Sequence, residues 1–145
     1  MKEYTPYERK IYYYETDQMK IVHHSNYIRW FEEARIDFMK QMGLPYDEIE
    51  KRGILIPVLE ASCRYKKAFR YGETFMIRIR LRKFKGVKFS ISYEVYNRET
   101  GELHATGSSE HGFVDRNLRP VHLKRDYPDI YECFAAAVSD ENEAE

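Results

Sequence analysis

Hydrophobic and polar positions repeat with two different periods along this chain, and the switch between them outlines the fold. Residues 10–14 with their flanks are rich in β-branched and aromatic residues and predict a strand ending at Glu15-Thr16-Asp17. Over 26–42 the apolar positions Tyr27, Trp30, Phe31, Ala34, Phe38 and Met42 fall at offsets of 3, 4, 7, 11 and 15, which is one face of an α-helix. Arg29, Glu32, Glu33, Asp37 and Lys40 fall mostly on the other face. Ser25 or Asn26 can cap its start, Gly43 can take the left-handed stop, and Pro45 lies just beyond. A short second helix is expected over 46–52, ending near Gly53.

The period then drops to 2. Residues 54–65 predict a strand interrupted by Pro57, hence an edge position or a bend. Phe75, Ile77, Ile79 and Leu81 alternate with Met76, Arg78, Arg80 and Arg82, a half-buried strand with a basic outer face. Lys85-Gly86 makes a tight turn into a second alternating strand, Val87 to Val95, and 97–101 makes another turn. The strand over 103–114 is rich in small residues (Ala105, Gly107, Ser108, Ser109, Gly112), which leaves room for something large to pack on it. A last helix is expected over 126–138. Hairpin links imply antiparallel neighbours, and one long amphipathic helix with one sheet is an α+β arrangement in which the sheet wraps the helix. One helix cannot cover both faces of five strands, and edge strands need partners, so a homodimer is expected. The organisation read here is a single domain over 1–138 followed by an acidic, disordered tail over 139–145.

Composition narrows the function classes. With 24 Lys+Arg against 24 Asp+Glu the chain is formally neutral, which argues against a dedicated nucleic-acid binder. At 43% hydrophobic it can build a core. No stretch approaches the roughly 18 apolar residues of a membrane helix. The N-terminus lacks the apolar run of a signal peptide, so a cytoplasmic location is expected. Cys63 and Cys133 form no zinc or redox pattern.

Chemistry concentrates between the first strand and the long helix. Asp17 is a carboxylate at a strand end, where side chains face clefts. The following helix N-terminus offers unpaired N–H groups with partial positive charge, which can hold a developing oxyanion. His23 and His24 lie beside both. This combination suits attack on an acyl carbonyl, with Asp17 activating water or attacking directly, and N–H groups around His24 and Ser25 polarising the oxygen. An aspartate near a helix start is also common as a plain cap.

Thr16-Asp17, Ile21-Val22, His23-His24, Asn26-Tyr27, Phe31-Glu32 and Ala34-Arg35 occur in an order and spacing that resembles the signature of the hotdog-fold acyl-CoA thioesterases, in the 4-hydroxybenzoyl-CoA thioesterase-like branch. The resemblance spans roughly residues 8–122 and includes the helix-and-strand order. It implies a long helix wrapped by a five-stranded antiparallel sheet, and dimers joined edge to edge and paired into tetramers. It implies hydrolysis of an acyl-CoA thioester at the subunit interface, with no metal and no cofactor beyond the coenzyme A of the substrate. Asp17 matches the family's catalytic carboxylate and His24 a position beside the reacting group, with Tyr14, His23, Ser25 and Tyr27 near the same site. The family commonly has Gly or another small residue where Met19-Lys20 stands, a departure that bears on substrate range.

Arg78, Arg80, Arg82, Lys83, Lys85 and Lys88 form a basic group that reads either as a solvated sheet face or as a dock for coenzyme A phosphates, with Lys85 and Lys88 the candidate contacts. Asp17 and adjacent histidines lack a convincing third and fourth metal ligand. His104, His111 and His122 read as surface or interface residues, His111 least clearly, and Glu60 is unassigned. Two competing functions are a hydroxyacyl-thioester dehydratase on the same fold, which wants a paired His and acid, and a non-catalytic acyl-CoA binder.

Overall fold

The computed structural model describes residues 3–139, so nearly all of the expected acidic tail lies outside the described residues. In chain order the elements are β1 (Tyr7–Lys10), a 3-10 turn (Tyr13–Glu15), α1 (Ser25–Gln41), α2 (Tyr46–Lys51), β2 (Val58–Tyr65), β3 (Thr74–Phe84), β4 (Lys88–Asn97), β5 (Leu103–Gly112), α3 (Leu123–Asp126) and α4 (Pro128–Ala137). The five strands form one sheet in the order β1-β3-β4-β5-β2, and every pairing is antiparallel. This is the α+β hotdog architecture.

The first strand sits earlier than its composition suggests. It ends at Lys10, and the tyrosine run that read as strand turns into the 3-10 segment, leaving Tyr12, Tyr13 and Tyr14 exposed. Buried Glu15 closes that turn by accepting the Tyr12 N–H at 2.8 Å. The local hydrogen bond overrides the strand preference of the aromatics.

Helix α1 buries Tyr27, Trp30, Phe31, Ala34 and Phe38, the stripe set by its 3.6-residue period. Trp30 is fully buried and stacks on Phe75 of β3 at 4.1 Å between centroids. Phe31 stacks on Tyr93 of β4 at 4.1 Å. Burial of each such ring contributes about 1.5–3 kcal/mol. The small residues of β5 have their explanation here: a Cβ added to Gly107 would overlap the Phe31 ring. Gly43 stops the helix at φ +87°, a left-handed conformation that glycine adopts without strain.

The β3–β4 turn end of the sheet is covered by α4, whose Phe134 packs against Phe84, Phe89 and Phe113. Strand β2 differs from the rest. It is an edge, as Pro57 predicted, and seven of its eight residues are exposed, Val58 and Leu59 at 51% and 50%.

Candidate functional site

Two anchors hold the segment between β1 and α1. The first is Glu15, 3% exposed. Its carboxylate accepts from Arg9 Nη1 and Nη2 at 3.0 and 2.8 Å and from the Trp30 indole at 2.8 Å. Burial alone would raise the Glu15 carboxyl, but Arg9, Trp30 and the Tyr12 amide together hold it below the usual carboxylate range. The second is Asn26, whose side-chain amide donates to the carbonyls of Glu15 and His23 at 3.0 and 3.1 Å. Together they fix the start of α1 against the end of the 3-10 turn.

Asp17 heads a tight loop. Its N–H donates to the Ile21 carbonyl and its own carbonyl accepts from Lys20, both at 2.9 Å. Asp17 Oδ1 accepts the Met19 N–H at 2.8 Å, so one carboxylate oxygen is engaged in shaping the loop. The second oxygen has no donor among the described residues. Lys20 takes φ +65° where the family commonly places a small residue. The departure seen in the sequence is thus a lysine in a conformation that favours glycine.

At the start of α1, Ser25 N–H and Oγ both approach His23 Nδ1, at 3.2 and 2.9 Å. Asn26 N–H donates to the His23 carbonyl and Tyr27 N–H to that of His24. The His24 N–H has no acceptor among the described residues. The sequence pointed to amides around both His24 and Ser25. In the structure the Ser25 amide is turned toward His23, which leaves His24 as the available donor beside the loop.

Asp17, His24 and Tyr27 line one cleft of about 340 Å³, together with Met19 and Ile21, the end of β2 at Tyr65, and Lys66 and Lys67 just after it. Tyr65 donates to the His24 carbonyl at 3.3 Å and meets the Tyr27 ring edge-on at 4.9 Å. Burial pushes the Tyr27 phenol well above its ordinary range, so it stays protonated. His23 stacks on His24 at 4.2 Å and sits just outside this lining. Tyr14 is 75% exposed and stacks on Tyr12, also outside it. Tyr65, Lys66 and Lys67 escaped the sequence reading because only the fold brings β2 to the helix start. The basic pair closing a strand was the signal available. Lys67 is tied to Glu102 at 2.8 Å.

Lys85 lies exposed in the β3–β4 turn, and Lys88, also exposed, opens β4. The eleven residues of β3 separate that turn from the Asp17 end of the sheet, about 30 Å, so within one protomer they do not share the cleft. Two histidines correct the sequence reading: His104 and His111 are 2% and 1% exposed. His104 stacks on Phe69 at 4.0 Å. His111 Nε2 lies 2.7 Å from Ser109 Oγ, which lies 2.6 Å from Tyr93 Oη, which accepts from Arg35 at 3.0 Å. Both rings face the helix side of the sheet, where the core, not solvent, surrounds them. Among the described residues no group of three His, Cys, Asp or Glu side chains is arranged to hold a metal. No helix among them is long and apolar enough to cross a membrane.

This fold is that of a hotdog thioester hydrolase. The family model of the thioesterase-like superfamily matches residues 13–138, and the chain belongs to that superfamily. It is 36% identical over 131 residues to YneP of Bacillus subtilis (strain 168), a protein provisionally named an acyl-CoA thioesterase, covering 90% of this chain and 94% of that one. A 1,4-dihydroxy-2-naphthoyl-CoA hydrolase of Thermosynechococcus vestitus is 26% identical over 72% of each chain. Among solved structures, a DHNA-CoA thioesterase from Staphylococcus aureus superposes with a TM-score of 0.89 at 33% identity, covering 97% of this chain and 95% of that one.

Proposed function

We propose that the protein hydrolyses acyl-CoA thioesters to free acid and coenzyme A at the Asp17 cleft. The observation that carries this is the pairing, in one cleft, of an Asp17 carboxylate oxygen and a His24 N–H that have no hydrogen-bond partner among the described residues. The thioester carbonyl oxygen accepts from the His24 amide at the positive end of α1. Asp17 takes a proton from the attacking water, or attacks the carbonyl carbon itself to give a mixed anhydride that water then opens. The C–S bond breaks, the coenzyme A thiolate leaves and takes up a proton, and the acid is released. His24 and Tyr27 wall the reacting group. His23, Ser25 and Tyr14 are assigned supporting contacts at the cleft's edge.

The working unit in this proposal is a homodimer joined through the β2 edges, paired further into a tetramer, in the cytoplasm. No cofactor beyond the substrate's own coenzyme A takes part. The exposure of β2 on both faces supports the dimer. In that assembly Lys85 and Lys88 of the partner end lie toward the cleft and serve the phosphates. Light scattering is expected to give a mass of two or four chains, and a monomer at working concentration contradicts the assembly.

The test of the chemistry is thiol release from a panel of acyl-CoAs by wild type and Asp17→Asn. Asn keeps an oxygen for the Met19 N–H, so the loop survives. Turnover is expected to fall by at least roughly 100-fold. Activity close to wild type in the variant would rule out Asp17. A single turnover in ¹⁸O water that puts label into the Asp17 carboxyl identifies the mixed anhydride, opened by water at Asp17 Cγ, because the general-base route puts label only into the released acid.

A further inference from the structure

The turns flanking the Asp17 cleft carry an aromatic surface that extends well beyond it. Tyr13 and Tyr14 are each 75% exposed, Tyr71 is 60% exposed and Met19 70%. Tyr13 and Tyr14 come from the 3-10 turn and Tyr71 from the connection between β2 and β3. The two segments touch, Tyr13 meeting Tyr71 edge-on at 5.5 Å. Tyr13 follows β1, the sheet edge opposite β2, so two copies joined through β2 leave these rings uncovered.

Cations surround the rings. Arg70 is bridged to Ile21 of the Asp17 loop, which sets it beside Lys20, and Lys66 stands at the cleft. All three are exposed and form no ion pair among the described residues, and Lys10, exposed at the end of β1, adds a fourth charge. Most carboxylates at this end of the sheet are already engaged. Glu15 is held by Arg9, Glu102 by Lys67, and Glu73 by the Arg70 N–H at 2.6 Å and the Asn97 amide at 2.7 Å. Asp17 and the exposed Glu99 of the β4–β5 turn remain. A chain that is neutral overall therefore presents positive charge and tyrosine together at one end.

We infer that this surface docks the protein on an anionic lipid bilayer, with the mouth of the Asp17 cleft turned to the headgroups. Tyrosine has an apolar ring and a polar tip, which suits the headgroup level, where one side is apolar and the other wet. Lys20, Lys66 and Arg70 have long apolar stems that let their charges reach lipid phosphates from the same level, and a negatively charged surface attracts them. Met19 adds an exposed apolar tip between them. The contact is peripheral: the rings lie in the interface and no element crosses it. Docking stands whether or not the cleft hydrolyses a thioester. Where it does, a substrate with a long acyl tail partitions into the surface that the cleft faces.

The test is sedimentation of the full chain with vesicles of phosphatidylcholine containing about 30% phosphatidylglycerol. Wild type is expected to pellet with them, to stay in solution with phosphatidylcholine alone, and to be released as salt rises toward about 0.5 M. Arg70→Glu, and the pair Tyr13→Ser with Tyr71→Ser, are each expected to weaken binding at least roughly fivefold while the melting temperature holds. Arg119→Glu removes an exposed cation from the loop after β5, at the other end of the sheet, and is expected to bind as wild type does. Equal weakening by Arg119→Glu would reduce the effect to net charge and overturn the surface. Tyr13→Trp is expected to keep binding, with its indole emission moving to shorter wavelength on the vesicles, a shift that contact elsewhere on the molecule does not produce. Bound protein with unmoved emission overturns the proposal. Displacement from the vesicles by soluble coenzyme A also overturns it, because the cations then serve a substrate's phosphates. No binding of wild type to the charged vesicles overturns it outright and leaves the rings to an acidic protein partner.

Discussion

Glu15 and Asp17 are two residues apart, and the structure gives them opposite work. Glu15 is buried and its carboxylate accepts four hydrogen bonds, two from Arg9, one from the Trp30 indole and one from the Tyr12 backbone N–H. Asp17 is half-buried, keeps one oxygen on the Met19 amide and turns the other to an open cleft. A carboxylate surrounded by donors is stabilised as an anion and has little basicity left to offer. One with a single backbone partner retains room for water or a carbonyl carbon. The comparison teaches that a site of this kind needs both: the saturated carboxylate holds the loop and helix so that the unsaturated one and the His24 amide face the same space.

The largest effect should come from the saturated member. Glu15→Ala leaves Arg9 short of one of its two carboxylate partners, Glu33 being the other, and strips the indole of its acceptor. Breaking a buried pair from one side costs about 4 kcal/mol. Urea unfolding is expected to show a loss of that order, whereas Asp17→Asn stays within about 1 kcal/mol of wild type. Equal stability losses in the two variants would dissolve the distinction.

Acid titration sharpens it from another side. Burial, with Arg35 adding to it, pushes the His111 imidazole down from 6.5 to about 4. The folded chain therefore keeps His111 neutral at a pH where the unfolded chain takes up a proton. This contribution is complete above pH 6.5 and is lost as pH falls from 6.5 to about 4, in total about 3 kcal/mol. Glu15 has a depressed folded value, so its contribution is present above 4.5 and is lost only at lower pH. Stability should thus decline in two steps. The upper step should shrink by more than half in His111→Gln, and the lower step should shrink in Glu15→Ala. The catalytic effect of Asp17→Asn comes next in size: a factor of 100 in turnover is about 2.7 kcal/mol of barrier.

The two carboxylates also mark how far the sequence could be read. The 3.6-residue stripe of α1, the alternation in β3 and β4 and the edge position announced by Pro57 were legible because each is a local pattern. That Asp17 and His24 lie close together was legible because both flank the start of one helix, and the structure puts both on one cleft. Glu15 was not legible, because its meaning depends on Arg9 and Trp30, six and fifteen residues away, meeting over it. Tyr65 and Lys66 were hidden for the same reason: β2 reaches the helix start only through sheet order β5-β2. His104 and His111 misled because they sit at polar-looking positions in a strand of small residues, and only packing shows that their face is the core face.

The smallest expected effect lies in the Asp17 loop itself. Lys20 holds φ +65° and donates its N–H to the Asp17 carbonyl at 2.9 Å. A left-handed conformation costs a residue with a Cβ about 1–2 kcal/mol. Glycine removes that cost but adds about 0.4–1 kcal/mol of conformational freedom to the unfolded chain. The difference favours Lys20→Gly by roughly 0.5 kcal/mol, a rise in melting temperature of about 1–3 °C for a domain of this size. The corresponding change beside the saturated carboxylate has no strain to relieve, since no residue from Arg9 to Asp17 has positive φ. A gain from Lys20→Gly, with none from a glycine placed at Tyr13, would locate the stored strain in the half of the segment that carries Asp17. A loss at Lys20 would mean that the lysine side chain contributes more to the loop than its backbone costs.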